Sequence, residues 1–178
     1  MNEILKEEVI YEGRVCRLTH DTVTFDDGTV GYRDVLHLNG AVGILAFKDE
    51  DHIMLVQQYR HAIETDILEL PAGMLEKGED PLKAAERELE EETGYKAGKM
   101  TLLASFFTSP GVVRETIHLY LATDLTFVGQ HLDDDEYLSV RTFSLEEIEQ
   151  MIADNRLNDG KSILAYLLWK DRFRNGTE

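Results

Sequence analysis

Five glutamates lie within seven positions near the middle of the chain: Glu86, Glu88, Glu90, Glu91 and Glu92. The sequence around them predicts a short helix, because Asp80 is a good N-cap, Pro81 suits the first helical position and Gly94 suits the residue just past a helix end. The cluster therefore occupies the last half of the helix, where the helix dipole is already negative. Glutamates four positions apart also repel one another. A locally unfavourable arrangement of this kind indicates a functional site, and a bound cation is the simplest compensation.

The helical repeat places these carboxylates on two flanks of an apolar stripe. The stripe consists of Leu82, Ala85 and Leu89. Glu88 and Glu92 lie one turn apart on one flank, and Glu91 lies on the same flank but further toward solvent. Arg87 precedes Glu91 by one helical turn and is expected to pair with it. Hard oxygen ligands in this number suit Mg²⁺ or Mn²⁺ rather than Zn²⁺.

Residues at fixed spacing between positions 73 and 95 resemble the Nudix box, G-x5-E-x7-R-E-U-x-E-E-x-G-U, in which U is a bulky apolar residue. The matching residues are Gly73, Glu79, Arg87, Glu88, Leu89, Glu91, Glu92, Gly94 and Tyr95. Tyr95 is a soft departure, since an aliphatic residue is more usual there. A solvated acidic face is the alternative interpretation of a glutamate-rich helix. The match at every invariant position argues against that alternative, so the chain is similar to Nudix hydrolases.

The composition bounds the class of protein. With 178 residues and 43% hydrophobic content, the chain is long enough for one domain with a sizeable core. Its net charge of −17 argues against nucleic acid and anionic membranes as partners, since both require a basic surface. The single Cys16 excludes an internal disulfide framework. The N-terminus lacks the regions of a signal peptide and no apolar run is long enough to span a membrane, so a cytoplasmic protein is expected.

The remaining sequence predicts a mixed α/β fold. Residues 9–38 are expected to form an antiparallel β unit with a turn at the sequence DDG, residues 26–28. Further strands are expected at 41–47, 52–60, 67–70, 100–107, 115–125 and 136–143. Ser144 begins a helix with a capping box, and a final amphipathic helix is expected over 161–173. The resemblance implies the Nudix α/β/α sandwich with a mixed sheet over residues 40–178, preceded by a small N-terminal antiparallel β extension over residues 1–39.

The extension and several further motifs resemble the ADP-ribose pyrophosphatase branch of the family. That branch has a proline sixteen residues beyond the last glycine of the box, which is Pro110 here, although an ordinary Ser-Pro-Gly turn explains this residue as well. The stretches QQYR at 57–60 and ELPAG at 69–73 also resemble that branch. The extension mediates dimer formation in the branch, so a homodimer is expected. The partner's extension would then line the nucleoside side of each site, with Arg33 as a candidate contact.

The resemblance also implies roles for individual residues. Metal ligands would be Glu88, Glu91, Glu92 and the backbone carbonyl of Ala72. Substrate contacts would come from Arg60, Glu69, Gly73 and Glu115, of which Arg60 is the candidate for the phosphates. Gly73 would let the backbone approach the diphosphate closely, because it has no side chain.

An acidic loop supplies the general base and a further metal ligand in several family members. The matching loop here reads Asp133-Asp134-Asp135-Glu136. Glu136 fits the ligand position, whereas Asp134 falls where the base is usually a glutamate and is one methylene shorter. Either Asp134 is the base or a neighbouring residue takes that role. A solvated acidic loop is the alternative interpretation of the run.

Three functions remain open from the sequence. The resemblance favours Mg²⁺- or Mn²⁺-dependent hydrolysis of ADP-ribose to AMP and ribose 5-phosphate. The first rival is hydrolysis of another nucleoside-diphosphate derivative, such as a nucleotide sugar. The second is a catalytically silent domain that binds a nucleotide as a regulator. The intact set of Glu88, Glu91 and Glu92 argues against silence, because a regulator has no need of a charge-repelling cluster.

Overall fold

The structure is a computed structural model that describes residues 3–132 and 137–176. Most of its regular secondary structure consists of β-strands. The strands are β1 (Glu3–Glu12), β2 (Arg17–Thr24), β3 (Val30–His37), β4 (Ala41–Phe47), β5 (His52–Arg60), β6 (Thr65–Glu69), β7 (Ala72–Met74), β8 (Tyr95–Phe107), β9 (Val113–Arg114), β10 (Thr116–Phe127) and β11 (Leu138–Ser144). The α-helices are α1 (Pro81–Thr93), α2 (Leu145–Ala153) and α3 (Gly160–Trp169). A 3-10 turn at His61–Ile63 follows β5, and a π-helical turn at Lys170–Arg174 follows α3.

One compact unit, here called the extension unit, comprises Met1–Gly40 and Phe106–Ile117. Its sheet has the order β1-β2-β3-β9, with antiparallel pairing from β1 to β3 and a short parallel pair between β3 and β9. The predicted DDG turn joins β2 to β3, and Gly28 adopts φ +81°, a conformation that favours glycine. Strand β1 is solvent-exposed at every residue.

The second unit, here called the core unit, comprises Ala41–Ser105 and His118–Glu178. Its sheet has the order β11-β5-β4-β10-β8, with β6 paired to β5 and β7 paired to β4. The antiparallel register places Glu69 of β6 opposite Val56 of β5, and Gly73 of β7 opposite Val42 of β4. These two short strands therefore carry candidate substrate-binding residues on the sheet.

Helix α1 packs its apolar stripe on this sheet. Ala85 and Leu89 are fully buried, and Leu82 packs against the same cluster, as the helical repeat predicts. The strand residues of the cluster are Val42, Ile44, Ala46, Met54, Tyr120 and Ala122. Burial of this apolar surface stabilises the helix in one orientation, because rotation of α1 would expose the stripe to water.

The predicted α/β class with a mixed sheet and an antiparallel β extension is confirmed. Strands β4 and β5 begin and end at the predicted residues, and the capping box at Ser144 is present. Other boundaries differ: the β extension begins with β1 at Glu3 rather than at residue 9, β8 begins at Tyr95, and α3 ends at Trp169. Strands β7 and β9 were not predicted, because two or three residues carry no readable alternation. Within residues 3–132 and 137–176, no helix has both the length and the apolar composition needed to cross a membrane.

Candidate active site

Helix α1 begins and ends as its sequence predicts. The Asp80 carboxylate accepts hydrogen bonds from the backbone N–H groups of Leu82 at 3.0 Å and Lys83 at 3.2 Å. At the other end, Gly94 adopts φ +77°, and its N–H donates to the Glu90 carbonyl at 2.8 Å. These caps fix which residues are helical, and so they fix which carboxylates lie on the last two turns.

Two carboxylates of the cluster are buried rather than solvated. Glu88 is 7% exposed and Glu92 only 2%. The Glu92 carboxylate accepts a hydrogen bond from the Ala72 N–H at 2.9 Å, which ties α1 to β7. A Cβ atom on Gly73 would lie 2.0 Å from the Glu88 carboxyl carbon, so only glycine leaves room for this side chain. Buried carboxylates of this kind require cationic or hydrogen-bonding partners.

Arg87 supplies much of that compensation. Its guanidinium group donates to both carboxylate oxygens of Glu79 at 3.1 Å, to Glu88 at 2.7 Å and to Glu91 at 2.9 Å. The predicted Arg87–Glu91 pair is therefore confirmed. The hydrogen bond to Glu79 is the main cause that raises the pKa of Arg87, and the same bond lowers the pKa of Glu79. One arginine thus offsets the repulsion among three glutamates.

The segment after β10 caps the negative end of α1. Hydrogen bonds run from Val128 N–H to the Gly94 carbonyl at 2.8 Å, from Gln130 Nε2 to the Glu92 carbonyl at 2.5 Å, and from His131 N–H to the Glu91 carbonyl at 3.2 Å. These donors satisfy carbonyls that the last helical turn leaves without intrahelical partners. The segment leading to the acidic loop is therefore fixed at the cluster, whereas the predicted base Asp134 and ligand Glu136 lie outside the described residues.

A second charged group surrounds Glu69, whose side chain is 2% exposed. Arg60 Nε donates to Glu69 Oε1 at 2.7 Å, and Lys161 Nζ donates to Glu69 Oε2. Lys161 also pairs with Asp159 at 3.1 Å. Burial lowers the pKa of Arg60, but the hydrogen bond to Glu69 and the charges of Glu69, Glu92 and Asp159 outweigh burial and raise it. Because the charge of Glu92 acts on Arg60, this group interacts electrostatically with the glutamate cluster on α1.

Arg60 keeps donors available for an anion. Its side chain is 40% exposed, and its hydrogen bond to the protein uses Nε alone. Within the part of the chain that the structure describes, Nη1 and Nη2 have no acceptor. A guanidinium group in this state can bind two oxygens of a phosphate group with two parallel hydrogen bonds.

The residues on α1 fit a divalent cation by their chemistry. Glu88, Glu91 and Glu92 offer hard oxygen donors, and Gly73 leaves the Glu88 carboxylate close to the β7 backbone. Over residues 3–132 and 137–176, no three His, Cys, Asp or Glu side chains are already gathered in metal-binding geometry. Arg87 instead holds Glu88 and Glu91. Ligation therefore requires these side chains to turn from Arg87 or to use their other oxygens.

Two predicted substrate contacts belong to the extension unit. Arg33 lies on β3, where its guanidinium carbon is 5.2 Å from the centroid of the Phe25 ring and its Nη1 donates to the Tyr32 carbonyl at 2.8 Å. Glu115 accepts a hydrogen bond from Thr108 Oγ1 at 2.8 Å. The Arg33 side chain is exposed, whereas Glu115 is half-buried.

Lys161 is the residue of this site that the sequence did not indicate. In the sequence it is only a polar residue at the start of the last amphipathic helix. The available signal was indirect: a glutamate in the apolar strand ILEL must find a cationic partner once it is buried. Nothing local identifies that partner, because Lys161 lies 92 positions from Glu69.

The sequence is similar to those of known proteins over most of its length. The family model described as NUDIX domain matches residues 37–166. The chain is 44% identical over 163 residues to the methanol dehydrogenase activator of Bacillus methanolicus, covering 90% of this chain and 88% of the relative. It is 39% identical over 171 residues to the ADP-ribose pyrophosphatase of Bacillus subtilis (strain 168), covering 94% and 92%.

The fold is also similar to that of a solved structure. A crystal structure of an ADP compounds hydrolase superposes with a TM-score of 0.87 and covers 98% of this chain and 95% of the other. Sequence identity is 24%, so this likeness concerns the fold alone.

Proposed function

The chain belongs to the Nudix family and is a pyrophosphohydrolase of that family, and from this premise we propose that it hydrolyses ADP-ribose to AMP and ribose 5-phosphate with Mg²⁺ or Mn²⁺. The observation that carries the proposal is the pair of buried carboxylates, Glu88 and Glu92, packed against the backbone of residues 72 and 73. The relative from Bacillus subtilis supports the choice of substrate, because it matches this chain over nearly its full length.

The chemistry requires charge neutralisation at the diphosphate. Glu88, Glu91 and Glu92 would hold the metal, together with the Ala72 carbonyl and Glu136. A divalent ion held by these residues would neutralise the phosphate charge and lower the pKa of a coordinated water molecule. Arg60 would bind the diphosphate through Nη1 and Nη2.

The remaining roles concern the proton and the rest of the substrate. Asp134 would accept the proton of the attacking water as general base. Gly73 would admit the diphosphate close to the backbone, and Glu69 would hold Arg60 in place through its hydrogen bond. Glu115 would contact the substrate near the proline turn at Pro110.

The extension over residues 1–39 would mediate a homodimer, and residues 40–178 would form the hydrolase domain. Strand β1 supports this assignment, because it is an edge strand that exposes apolar side chains to solvent. These side chains are Ile4, Leu5, Val9, Ile10 and Tyr11. Arg33 would then contact the nucleoside of the substrate in the partner's site. Sedimentation at micromolar concentration tests the assignment, and a monomer there would contradict it.

The substrate is tested with a panel of nucleoside-diphosphate compounds. The protein is incubated with Mg²⁺ and ADP-ribose, ADP-glucose or GDP-mannose, and nucleoside monophosphate release is measured. We expect the highest kcat/KM for ADP-ribose. A higher value for a nucleotide sugar would favour the first rival, hydrolysis of another nucleoside-diphosphate derivative.

Regulation of a dehydrogenase is a second candidate function, favoured by the 44% identity to a methanol dehydrogenase activator. The test adds this protein to a methanol dehydrogenase and measures the rate of alcohol oxidation. A stimulation that Glu92→Gln abolishes would assign the effect to the hydrolytic site. A stimulation that survives in this variant would show that the regulation does not depend on hydrolysis.

A further inference from the structure

The two oxygens of the buried Glu69 carboxylate are divided between two cations. Oε1 accepts a hydrogen bond from Arg60 Nε at 2.7 Å, and Oε2 accepts one from Lys161 Nζ. An arginine facing a carboxylate alone prefers to form two parallel hydrogen bonds, one to each oxygen. Here Arg60 makes one of these bonds, and Lys161 competes with it for the second oxygen.

In this division Arg60 uses only one of its donors, Nε. A two-bond pair with Glu69 would use Nε and one of the Nη atoms, and would draw the guanidinium plane toward the carboxylate. With Lys161 in place, Arg60 is held through Nε, and both Nη atoms lack an acceptor in the described parts of the chain. The guanidinium group is therefore anchored at one edge and open at the other.

Lys161 is itself fixed in position. It follows Gly160 at the start of α3, and its Nζ lies 3.1 Å from Asp159 Oδ2. Asp159 is the N-cap of α3 and accepts a hydrogen bond from the Ser162 N–H at 3.1 Å. The Lys161 side chain is only 13% exposed, which leaves it little surface for direct contact with a ligand. Its position therefore suits an indirect role.

We propose that Lys161 is a positioning residue, which keeps Arg60 open for the diphosphate by competing with the Nη atoms of Arg60 for the second oxygen of Glu69. The proposal rests on the proposed function in one respect: Arg60 must be a diphosphate contact. It adds a residue of the last helix to the determinants of substrate affinity. The effect of Lys161 on binding must then pass through Arg60.

Kinetics provide the first test. Lys161→Met should raise KM for ADP-ribose about tenfold with Mg²⁺, the effect of weakening one charge-assisted hydrogen bond, and should leave kcat within about threefold. Lys161→Arg should largely restore KM, since a cation again faces Glu69 Oε2.

Lys170→Met is the matched control, because it removes a lysine that pairs with Glu149 instead. It should leave KM unchanged. A wild-type KM in Lys161→Met would overturn the proposal.

A double-mutant cycle separates positioning from a general structural effect. Calorimetry with inorganic pyrophosphate and Mg²⁺ measures Kd for the wild type, Arg60→Met, Lys161→Met and the double variant. If Lys161 acts through Arg60, Lys161→Met weakens binding in the wild-type background and has no further effect in Arg60→Met. Equal and additive losses in the two backgrounds would overturn the proposal.

The same measurements distinguish this proposal from the proposed substrate. A non-additive cycle together with no turnover of ADP-ribose would support positioning by Lys161 and reject ADP-ribose. Absence of pyrophosphate binding by the wild type would reject Arg60 as a diphosphate contact, and the proposal with it.

Thermal unfolding checks that each variant folds. If Lys161→Met does not fold, Lys161→Leu is used instead, because it also leaves Glu69 Oε2 without the Lys161 donor. It should weaken pyrophosphate binding in the same way, and an unchanged Kd would overturn the proposal.

Discussion

Gly73 and Glu88 approach so closely that a methyl group on residue 73 would lie 2.0 Å from the carboxyl carbon of Glu88. This contact joins β7 to the last turns of α1, and it sets the position of a proposed metal ligand. The side chain of Glu88 is buried at this point, so it has little room to move aside.

We therefore expect Gly73→Ala to displace Glu88 and to lower kcat at least about tenfold, by disturbing a metal ligand. Gly160→Ala is the matched control, because an added Cβ there meets no atom within 4 Å. The control should retain wild-type turnover. Unchanged kcat in Gly73→Ala would show that the close contact does not position a ligand.

Glu92→Gln tests the metal assignment directly. The substitution keeps a hydrogen-bond acceptor for the Ala72 N–H but removes the charge, so kcat should fall at least about a hundredfold while the fold is retained. Without Mg²⁺ the variant should unfold at the same temperature as the wild type or slightly higher, because a buried repulsive charge is gone. Near-normal turnover at saturating Mg²⁺ would contradict the assignment.

Arg87→Met should destabilise the protein by about 2–3 kcal/mol, since it removes the charge-assisted hydrogen bonds of Arg87 to Glu79 and to the buried Glu88 carboxylate. Denaturant unfolding in the absence of metal measures this change. Arg156→Met is the control, because its ion pair with Asp154 is exposed, and its midpoint should scarcely move. Equal midpoints for the wild type and Arg87→Met would contradict the role of Arg87 in offsetting the cluster.

The pH dependence gives a second check on Arg87. The pKa of Glu79 is lowered by its hydrogen bond to Arg87, so the pair stabilises the fold above the ordinary glutamate value of 4.5. This contribution is lost as the pH falls toward the lowered pKa. The difference in stability between the wild type and Arg87→Met should therefore shrink below about pH 4.5.

The structural features that the sequence predicted correctly are local ones. The caps at Asp80, Gly94 and Ser144, and the Arg87–Glu91 pair, depend on residues within one or two helical turns of each other. Local spacing is therefore sufficient to predict them. The apolar stripe of α1 was predictable for the same reason.

The remaining features depend on distant parts of the chain. The helical repeat placed Glu88 and Glu92 on a flank of the stripe, but their burial results from β7, which was not predicted. The pairing of Glu69 with Lys161 depends on how α3 meets β6, which no local pattern encodes. The predicted β unit began at residue 9, so most of β1 was not predicted, because a strand exposed at every position lacks the alternation of a half-buried strand.

The acidic loop provides a test of the general base. If Asp134 accepts the proton of the attacking water, Asp134→Asn should depress kcat strongly with little change in KM, the pattern of a lost transition-state interaction. Asp134→Glu should be tolerated, since it restores the reach usual in the family. Full activity in Asp134→Asn at neutral pH would favour activation of water by the metal alone. Glu136→Gln would then raise the Mg²⁺ requirement.

The most direct test of the central claim is chromatography of the products formed from ADP-ribose. With Mg²⁺, the wild type should release AMP and ribose 5-phosphate in equal amounts, and a chelator or Glu92→Gln should suppress both. Failure to release AMP with either Mg²⁺ or Mn²⁺ would contradict the proposed activity. Release that persists in the chelator would contradict the metal site on α1.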